Sequence, residues 1–343
     1  MLCNASGMRR EPDFFQLGDL ALQSGQVLQD ARLAFVTRGQ LNATGDNAVL
    51  FPSYYTGTHV ENLALVGPGR ALDPARYFIV IVNLLGNGQS SSPSNHPTQG
   101  GASFPHVSLL DNVAAQWRLL EQLGVERLAL AFGWSMGAQQ AYHHAALFPE
   151  RVARLLAVCG SARTSPHNWV FLDGVKAALE ADAAFAAGNY REPPLKGLAA
   201  FARVYAGWAY SQAFFRERLY EQLGYASPQA LLSAWAREHQ AYDANDLLCV
   251  LSSWQRADIS DNPLYEGDLP KALAAITART ILMPCSTDLY FPPEDSRIEA
   301  ELLPNAELRM LQSKFGHVAG GPDRVPRDSA AVEQALRDLL AAD

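Results

Sequence analysis

The chain has few cysteines and no surplus of positive charge. Its 343 residues include 4 cysteines, Cys3, Cys159, Cys249 and Cys285, which are widely separated and form no Cys-x-x-Cys pair. This spacing favours buried thiols in a reducing compartment over disulfides or metal ligands. With 27 Lys and Arg residues against 35 Asp and Glu, the formal net charge is −8. Such a charge offers no field for nucleic acid or anionic lipid, so we expect neither as a partner.

Long apolar runs are also missing. There is no window of 18 consecutive apolar residues, and the segment from Met1 to Pro12 is polar, without the apolar stretch of a signal peptide. We therefore expect a cytoplasmic protein with no membrane partner. The composition of 48% hydrophobic and 18% charged residues is that of a globular protein with ample material for a buried sheet. The length fits an α/β domain that carries an inserted subdomain.

A serine between two glycines follows a predicted strand. Leu128 to Phe132 is an apolar run of strand length, residues 133–137 read Gly-Trp-Ser-Met-Gly, and an Ala-rich segment with helical spacing follows. In such a strand, turn and helix, the glycines let the backbone fold tightly and lift the hydroxyl of Ser135 clear of the sheet. The alternative is an ordinary Gly-rich turn with a solvated serine. The flanking strand and helix favour a nucleophile.

An acid and a base lie in later loops that follow predicted strands. Residues 279–283 form a strand that leads to Asp288, and a last strand at 308–311 precedes His317. The order Ser, Asp, His is that of α/β-hydrolases and differs from other serine hydrolase lineages. His317 would take the proton of Ser135, and Asp288 would orient the imidazole. Asp295 is a rival acid that looks like a helix cap, and seven other histidines fit the chain order less well.

A negative oxygen forms when a serine attacks an acyl carbon, and two backbone N–H groups are candidates to bind it. One belongs to Met136, directly after the serine, and the other to Tyr55, in the loop after a short apolar strand at 48–51. An ordinary turn remains the alternative for Tyr55. This chemistry needs no metal and no organic cofactor.

A change of pattern divides the chain. Residues 173–265 contain helical stretches without a convincing strand, which predicts a helical lid over the active end of the sheet. The predicted core comprises residues 1–166 and 270–343, and the predicted lid residues 167–269. The fold class is therefore α/β: an α/β-hydrolase fold with a mostly parallel central sheet, helices on both faces and an inserted helical lid.

These motifs resemble the homoserine O-acetyltransferase family of α/β-hydrolases. The likeness runs from about Phe35 to His317. It is most specific at five places: Leu-Asn-Ala at 41–43 with Asn-Ala-Val-Leu at 47–50, Gly-Pro-Gly-Arg-Ala-Leu-Asp at 67–73 before Arg-Tyr-Phe at 76–78, Ser-Met-Gly at 135–137, Thr-Asp-Leu-Tyr at 287–290, and Gly-His at 316–317. The resemblance implies a triad of Ser135, Asp288 and His317 and an oxyanion donor near Tyr55. It also implies acyl transfer through an acyl-serine and a homodimer.

The resemblance also implies a substrate-binding segment in the lid. There Arg203 and Tyr210 match an arginine and a tyrosine that hold the carboxylate of the amino acid substrate. A guanidinium matches a carboxylate well. A structural salt bridge is the alternative for Arg203.

Two departures from the family bear on the substrate. The family's aspartate after the histidine, which contacts the ammonium of homoserine, is Val318 here, and a glycine before the serine is Trp134. An ammonium buried without a counter-charge is costly, so homoserine becomes a poor acceptor. We therefore expect a divergent member in which ester hydrolysis is favoured, acting on a small ester without a free amine. The alternatives are an O-acyltransferase with acyl-CoA as co-substrate and, more remotely, a non-catalytic binding scaffold.

Overall fold

An eight-stranded sheet forms the centre of the described residues, 11–341 of this computed structural model. Its order is β1-β2-β4-β3-β5-β6-β7-β8, with β1 and β2 antiparallel at one edge and the remaining strands parallel to one another. The strands are β1 Asp13–Ala21, β2 Val27–Arg38, β3 Ala48–Leu50, β4 Phe78–Val82, β5 Leu130–Trp134, β6 Arg154–Val158, β7 Arg279–Met283 and β8 Ala306–Leu308. The predicted fold class is confirmed. Cys3 and most of the segment from Met1 to Pro12 lie outside the described residues.

Both faces of the sheet are buried, which explains the continuous apolar runs of its central strands. In β4, Ile79 and Ile81 belong to one apolar cluster, whereas Phe78, Val80 and Val82 belong to the other. The period of two along a strand sends alternate side chains to opposite faces. Each of these fully buried side chains contributes about 1.5–3 kcal/mol relative to an exposed one.

Helices cover both faces and form the connection between β6 and β7. They are α1 His59–Asn62, α2 Leu109–Gln122, α3 Met136–Leu147, α4 Pro166–Glu180, α5 Leu195–Ala209, α6 Gln212–Arg216, α7 Pro228–His239, α8 Ala244–Gln255, α9 Leu269–Ala274, α10 Pro293–Leu302 and α11 Pro326–Ala341. Helices α4 to α9 follow β6 with no intervening strand. Ala272 and Leu273 of α9 pack in an apolar cluster of the core. The lid boundaries at 167 and 269 stay a prediction.

Three local predictions differ from the structure. The last strand ends at Leu308 instead of beginning there, and Leu311 only forms an isolated bridge with Cys285. The closing helix begins at Pro326, three residues before Ser329. Asp295 is not a cap, because the N-cap of α10 is Pro292 and Asp295 lies inside the first turn. An acid in the first turn is favoured by the helix dipole, so the residue type did indicate a helix start.

Candidate active site

Ser135 lies at a sharp turn between β5 and α3. Its backbone has φ 58° and ψ −128°, a conformation that costs a residue with a side chain about 1–3 kcal/mol. The flanking glycines permit this turn: a Cβ on Gly133 would overlap the backbone of Gly137, and one on Gly137 would lie 2.9 Å from the carbonyl oxygen of Pro52. The structure thus has the strained strand-to-helix turn that the sequence predicted.

Asp288 and His317 form a buried pair. The Nδ1 atom of His317 lies 2.7 Å from Oδ2 of Asp288, and each residue is 3% exposed. The other carboxylate oxygen, Oδ1, accepts hydrogen bonds from the backbone N–H groups of Tyr290 and Phe291, at 2.8 and 3.1 Å. These bonds hold the carboxylate in place, and the carboxylate holds the proton on Nδ1. Nε2 of the imidazole is then left to accept a proton.

Trp134 packs against the back of His317. The indole and imidazole rings are stacked, with centroids 4.9 Å apart and an angle of 25° between planes. The indole Nε1–H also donates to the backbone oxygen of His317 at 3.2 Å. A Cβ on Gly320 would lie 2.9 Å from the indole, so this glycine leaves room for the ring. A residue that replaces a family glycine therefore contacts both the ring and the backbone of His317.

Ser135 and His317 line one small cavity of about 90 Å³. Of the sequence-predicted site residues, the structure places these around it: Tyr55, Trp134, Ser135, Tyr210, His317 and Val318. Asp288 lies behind His317, and Met136 is fully buried at the start of α3. A larger open depression of about 640 Å³ lies beside Thr287 and Lys314, but neither Ser135 nor His317 lines it. Volume alone would therefore point to the wrong place.

The structure does not bring Arg203 to the cavity. Its side chain is exposed, and its Nη1 donates to the backbone oxygen of Ala199 on its own helix, at 2.8 Å. Tyr205 and Ala209, four residues apart, face the cavity from α5. Since successive helical residues are rotated by about 100°, Arg203 lies on the opposite side from Tyr205. Its predicted contact with a substrate carboxylate therefore has no support in the structure.

Sequence reasoning missed several cavity residues, among them Glu238, Arg324 and Tyr54. Glu238 on α7 and Arg324, just before α11, reach the cavity from opposite parts of the chain and are exposed. The hydroxyl of Tyr54 is buried in the cavity wall, beside the guanidinium of Arg324. Burial raises the pKa of Tyr54 to about 12, although the nearby Arg324 guanidinium opposes this shift. No local motif marks these positions, because only the packing of the lid on the core brings them together.

The backbone N–H groups of Tyr55 and Met136 have no acceptor within the described residues. Within the described residues, Tyr55 donates no backbone hydrogen bond, and Met136, as the first residue of α3, has no helical acceptor for its N–H. The Tyr55 side chain is held separately, because its hydroxyl donates to the backbone oxygen of Leu247 at 3.2 Å. The N-terminal end of α3 also carries partial positive charge.

Metal ligands and membrane spans were sought over the same range. Between residues 11 and 341, no three His, Cys, Asp or Glu side chains are grouped so that they could hold a metal ion. No helix of that range combines the length and apolar character needed to cross a membrane. The thiols of Cys159, Cys249 and Cys285 are unpaired.

Comparison with known proteins identifies the class. A family model described as alpha/beta hydrolase fold matches residues 66–320, so the chain belongs to the α/β-hydrolase family. It is 40% identical over 313 residues to an ethyl acetate hydrolase of Pseudomonas veronii, covering 89% of each chain. It is 32% identical over 314 residues to a homoserine O-acetyltransferase of Trichormus variabilis, covering 87% of this chain and 86% of the relative.

A solved structure of an ester hydrolase is also similar to this chain. The crystal structure of an acetylester hydrolase from Corynebacterium glutamicum superposes with a TM-score of 0.93 at 33% identity and covers 96% of each chain. The chain is thus more similar to ester hydrolases than to the homoserine acetyltransferases that its motifs resemble. The predictions of an enzyme, of kinship with the acetyltransferases, and of ester hydrolysis over acyl transfer are confirmed.

Proposed function

We propose that this protein is a serine esterase that hydrolyses small, uncharged esters of short acyl groups. One observation carries the proposal: the buried pair of Asp288 and His317, joined at 2.7 Å, faces the same cavity as the strained Ser135. A serine hydroxyl is a weak nucleophile at neutral pH and needs such a base to remove its proton.

The reaction proceeds in two halves. Oγ of Ser135 attacks the acyl carbon while Nε2 of His317 takes its proton, and the carbonyl oxygen becomes negative between the N–H groups of Tyr55 and Met136. The intermediate then breaks its bond to the alcohol oxygen, and the alcohol departs with the proton from Nε2. An acyl group remains bound to Ser135. Water, deprotonated by the same imidazole, then attacks that acyl group. The second intermediate breaks its bond to Oγ of Ser135, which takes the proton back from Nε2 as the carboxylic acid is released. Asp288 stabilises the imidazolium in both halves.

The cavity supports a small and uncharged substrate. Its volume of about 90 Å³ is small, which favours a short acyl group over a long one. Val318 adds an apolar wall at the position where the resemblance to the acetyltransferase family implies an aspartate. The names of the similar proteins, an ethyl acetate hydrolase and an acetylester hydrolase, support acetate esters as the substrate class.

Hydrolysis of p-nitrophenyl acetate, butyrate and octanoate tests this proposal. We expect the rate to fall with acyl length, and Ser135→Ala to lose at least about a thousandfold in kcat. Ser161→Ala is a matched control, because Ser161 is also buried but donates to the backbone oxygen of Arg163 and does not line the cavity. Retained hydrolysis and retained fluorophosphonate labelling in Ser135→Ala would overturn the proposal.

Acyl transfer to an amino acid is the second candidate, and one observation favours it. Glu238 and Arg324 bring a negative and a positive charge to the same cavity, as an amino acid substrate would require. Both side chains are exposed, so water screens them and they attract a ligand only weakly. Incubation with acetyl-CoA and homoserine, beside acetyl ester alone, separates the candidates. Formation of acetylhomoserine faster than ester hydrolysis would favour the transferase.

The assembly and location are further proposals. A homodimer, as the resemblance implies, would cover the apolar side chains that α4 and α5 expose, Trp169 at 46%, Val170 at 63% and Leu195 at 47%. Light scattering with Val170→Asp tests whether this lid face carries the contact: the wild type should be a dimer and the variant a monomer. The unpaired thiols support a cytoplasmic location, which fractionation of cells checks.

A further inference from the structure

The side chain of Gln140 bridges the two backbone segments that surround Ser135. From the second turn of α3, its Nε2 donates to the backbone oxygen of Ser53 at 2.9 Å and to that of Met136 at 3.1 Å. Gln140 is fully buried. The oxygen of Ser53 lies one peptide before the N–H of Tyr55. The oxygen of Met136 belongs to the residue whose N–H is the other candidate oxyanion donor. One amide thus connects both sides of the proposed oxyanion hole.

A chain of hydrogen bonds fixes which way this amide points. Oε1 of Gln140 accepts from Nε2 of Gln116 at 2.7 Å, and Oε1 of Gln116 lies 2.7 Å from Nε2 of His144. Burial lowers the pKa of His144 to about 3, so the ring is neutral, and it must carry its proton on Nε2 to donate to Gln116. The two glutamine amides and Nε2 of His144 are then matched in one direction, with each NH group facing an oxygen. The NH₂ group of Gln140 therefore faces the two carbonyl oxygens.

The loop that Gln140 holds has other fixed points but none that reaches both sides. Nδ2 of Asn62 donates to the backbone oxygens of Phe51 and Pro52, at 3.3 and 3.1 Å, both before Ser53. After Tyr55, the backbone of Thr56 has a positive φ of 61°. Between Pro52 and Thr56, the side chain of Gln140 hydrogen-bonds this loop to α3 through the backbone oxygen of Ser53. Its loss would leave the Ser53 carbonyl buried without this donor while the loop could shift relative to the helix.

We propose that Gln140 is a positioning residue that sets the distance between the N–H groups of Tyr55 and Met136, and so the geometry of the oxyanion hole. This inference rests on the proposed function. Gln140 touches neither the substrate nor Ser135 Oγ, and it acts only through the backbone. Donors in such a hole must lie where the charge develops in the transition state, and a misplacement of about 1 Å costs roughly a hundredfold in rate.

Gln140→Met tests the inference, because methionine keeps the length of the side chain but cannot donate. For p-nitrophenyl acetate we expect kcat to fall by about 10- to 100-fold with KM within about twofold, since the ground-state ester does not need the oxyanion hole. A methyl trifluoromethyl ketone, which forms a tetrahedral adduct with the serine, should lose affinity by the same factor as kcat/KM. A merely structural role would lower stability without this parallel loss.

Gln139→Met is the matched control. Gln139 is the preceding residue on the same helix and is equally buried, but its Nε2 donates to Oγ1 of Thr164 at 3.1 Å, away from the oxyanion loop. We expect this variant to lose stability while kcat stays near that of the wild type. An equal loss of kcat in both variants, or a normal kcat in Gln140→Met, would overturn the inference.

Two further measurements keep the test decisive. If Gln140→Met does not fold, Gln140→Leu replaces it, because leucine is apolar and cannot donate to the Ser53 carbonyl in any protonation state. The same fall in kcat is expected, and a normal kcat would overturn the inference. Ser135→Ala distinguishes failure of the proposed function from failure of the positioning role. If Ser135→Ala stays active, the proposed function is wrong. If Ser135→Ala is inactive while Gln140→Met has a normal kcat, only the positioning role is refuted.

Discussion

Replacement of Glu299 by glutamine should stabilise the protein at alkaline pH. Glu299 of α10 is 4% exposed, and its carboxyl oxygens lie 2.7 Å from the hydroxyl of Tyr142 and 2.7 Å from the backbone N of Ala162. Burial raises its pKa from 4.5 to about 8, and the nearby Asp295 adds to the rise. The folded protein therefore holds this proton much more tightly than the unfolded chain does.

The size of the effect follows from linkage. A pKa of about 8 in the folded state against 4.5 in the unfolded state corresponds to about 5 kcal/mol, at roughly 1.4 kcal/mol per pH unit. Because the folded pKa is the higher one, this stability is fully present below pH 4.5 and is lost as the pH rises to about 8. Glutamine keeps the shape and cannot ionise, so several kcal/mol should separate the variant from the wild type at pH 9 and much less at pH 5.

Urea denaturation followed by intrinsic fluorescence at pH 5, 7 and 9 measures this difference in the free energy of unfolding. Glu301→Gln, an exposed residue of the same helix, is the control and should change little at any pH. Parallel pH dependence in wild type and Glu299→Gln would refute the reasoning, because the buried carboxyl would then not be the group that titrates.

Three shorter predictions concern the active site. Asp288→Asn should lower kcat by about 10⁴-fold with little change in KM, since an amide no longer holds the Nδ1–H form of His317. Trp134→Phe should lower kcat about fivefold, because it removes one hydrogen bond, worth about 1 kcal/mol, to the His317 backbone. Val318→Asp should raise the ratio of acetylhomoserine formation to ester hydrolysis, because it adds a carboxylate to the cavity wall.

Steady-state kinetics with p-nitrophenyl acetate check the first two predictions, and mass spectrometry of the amino acid product checks the third. Asp295→Asn is the control for Asp288→Asn and should keep kcat near the wild-type value. An active Asp288→Asn, an unchanged kcat in Trp134→Phe, or a product ratio in Val318→Asp equal to that of the wild type would each contradict its prediction.

Sequence reasoning predicted the candidate residues that are marked by a local motif or by their order along the chain. Ser135 follows a strand and precedes a helix, and these flanks alone predict the sharp turn that the structure contains. Asp288 and His317 each follow a strand, and the carboxyl ends of parallel strands meet at one edge of a sheet. Their pairing at 2.7 Å thus follows from a topology that the apolar runs already indicate.

Residues whose role depends on the phase of a helix or on contacts between distant segments could not be predicted in this way. Arg203 matched a family motif, yet the rotation of α5 turns it outward. Glu238 and Arg324 meet at the cavity only because the lid packs against the loop before α11. Gln140 bonds Ser53, 87 positions away, and a glutamine on a helix has no spacing pattern that would single it out.

The stacking of Trp134 on His317 gives the protein an internal optical probe. A protonated imidazole in contact with an indole quenches its emission, whereas a neutral one does so much less. Fluorescence that is present in the wild type and absent in Trp134→Phe should therefore dim as His317 gains a proton. The charge of His317, the proposed general base, could then be followed by fluorescence during turnover, without any added dye.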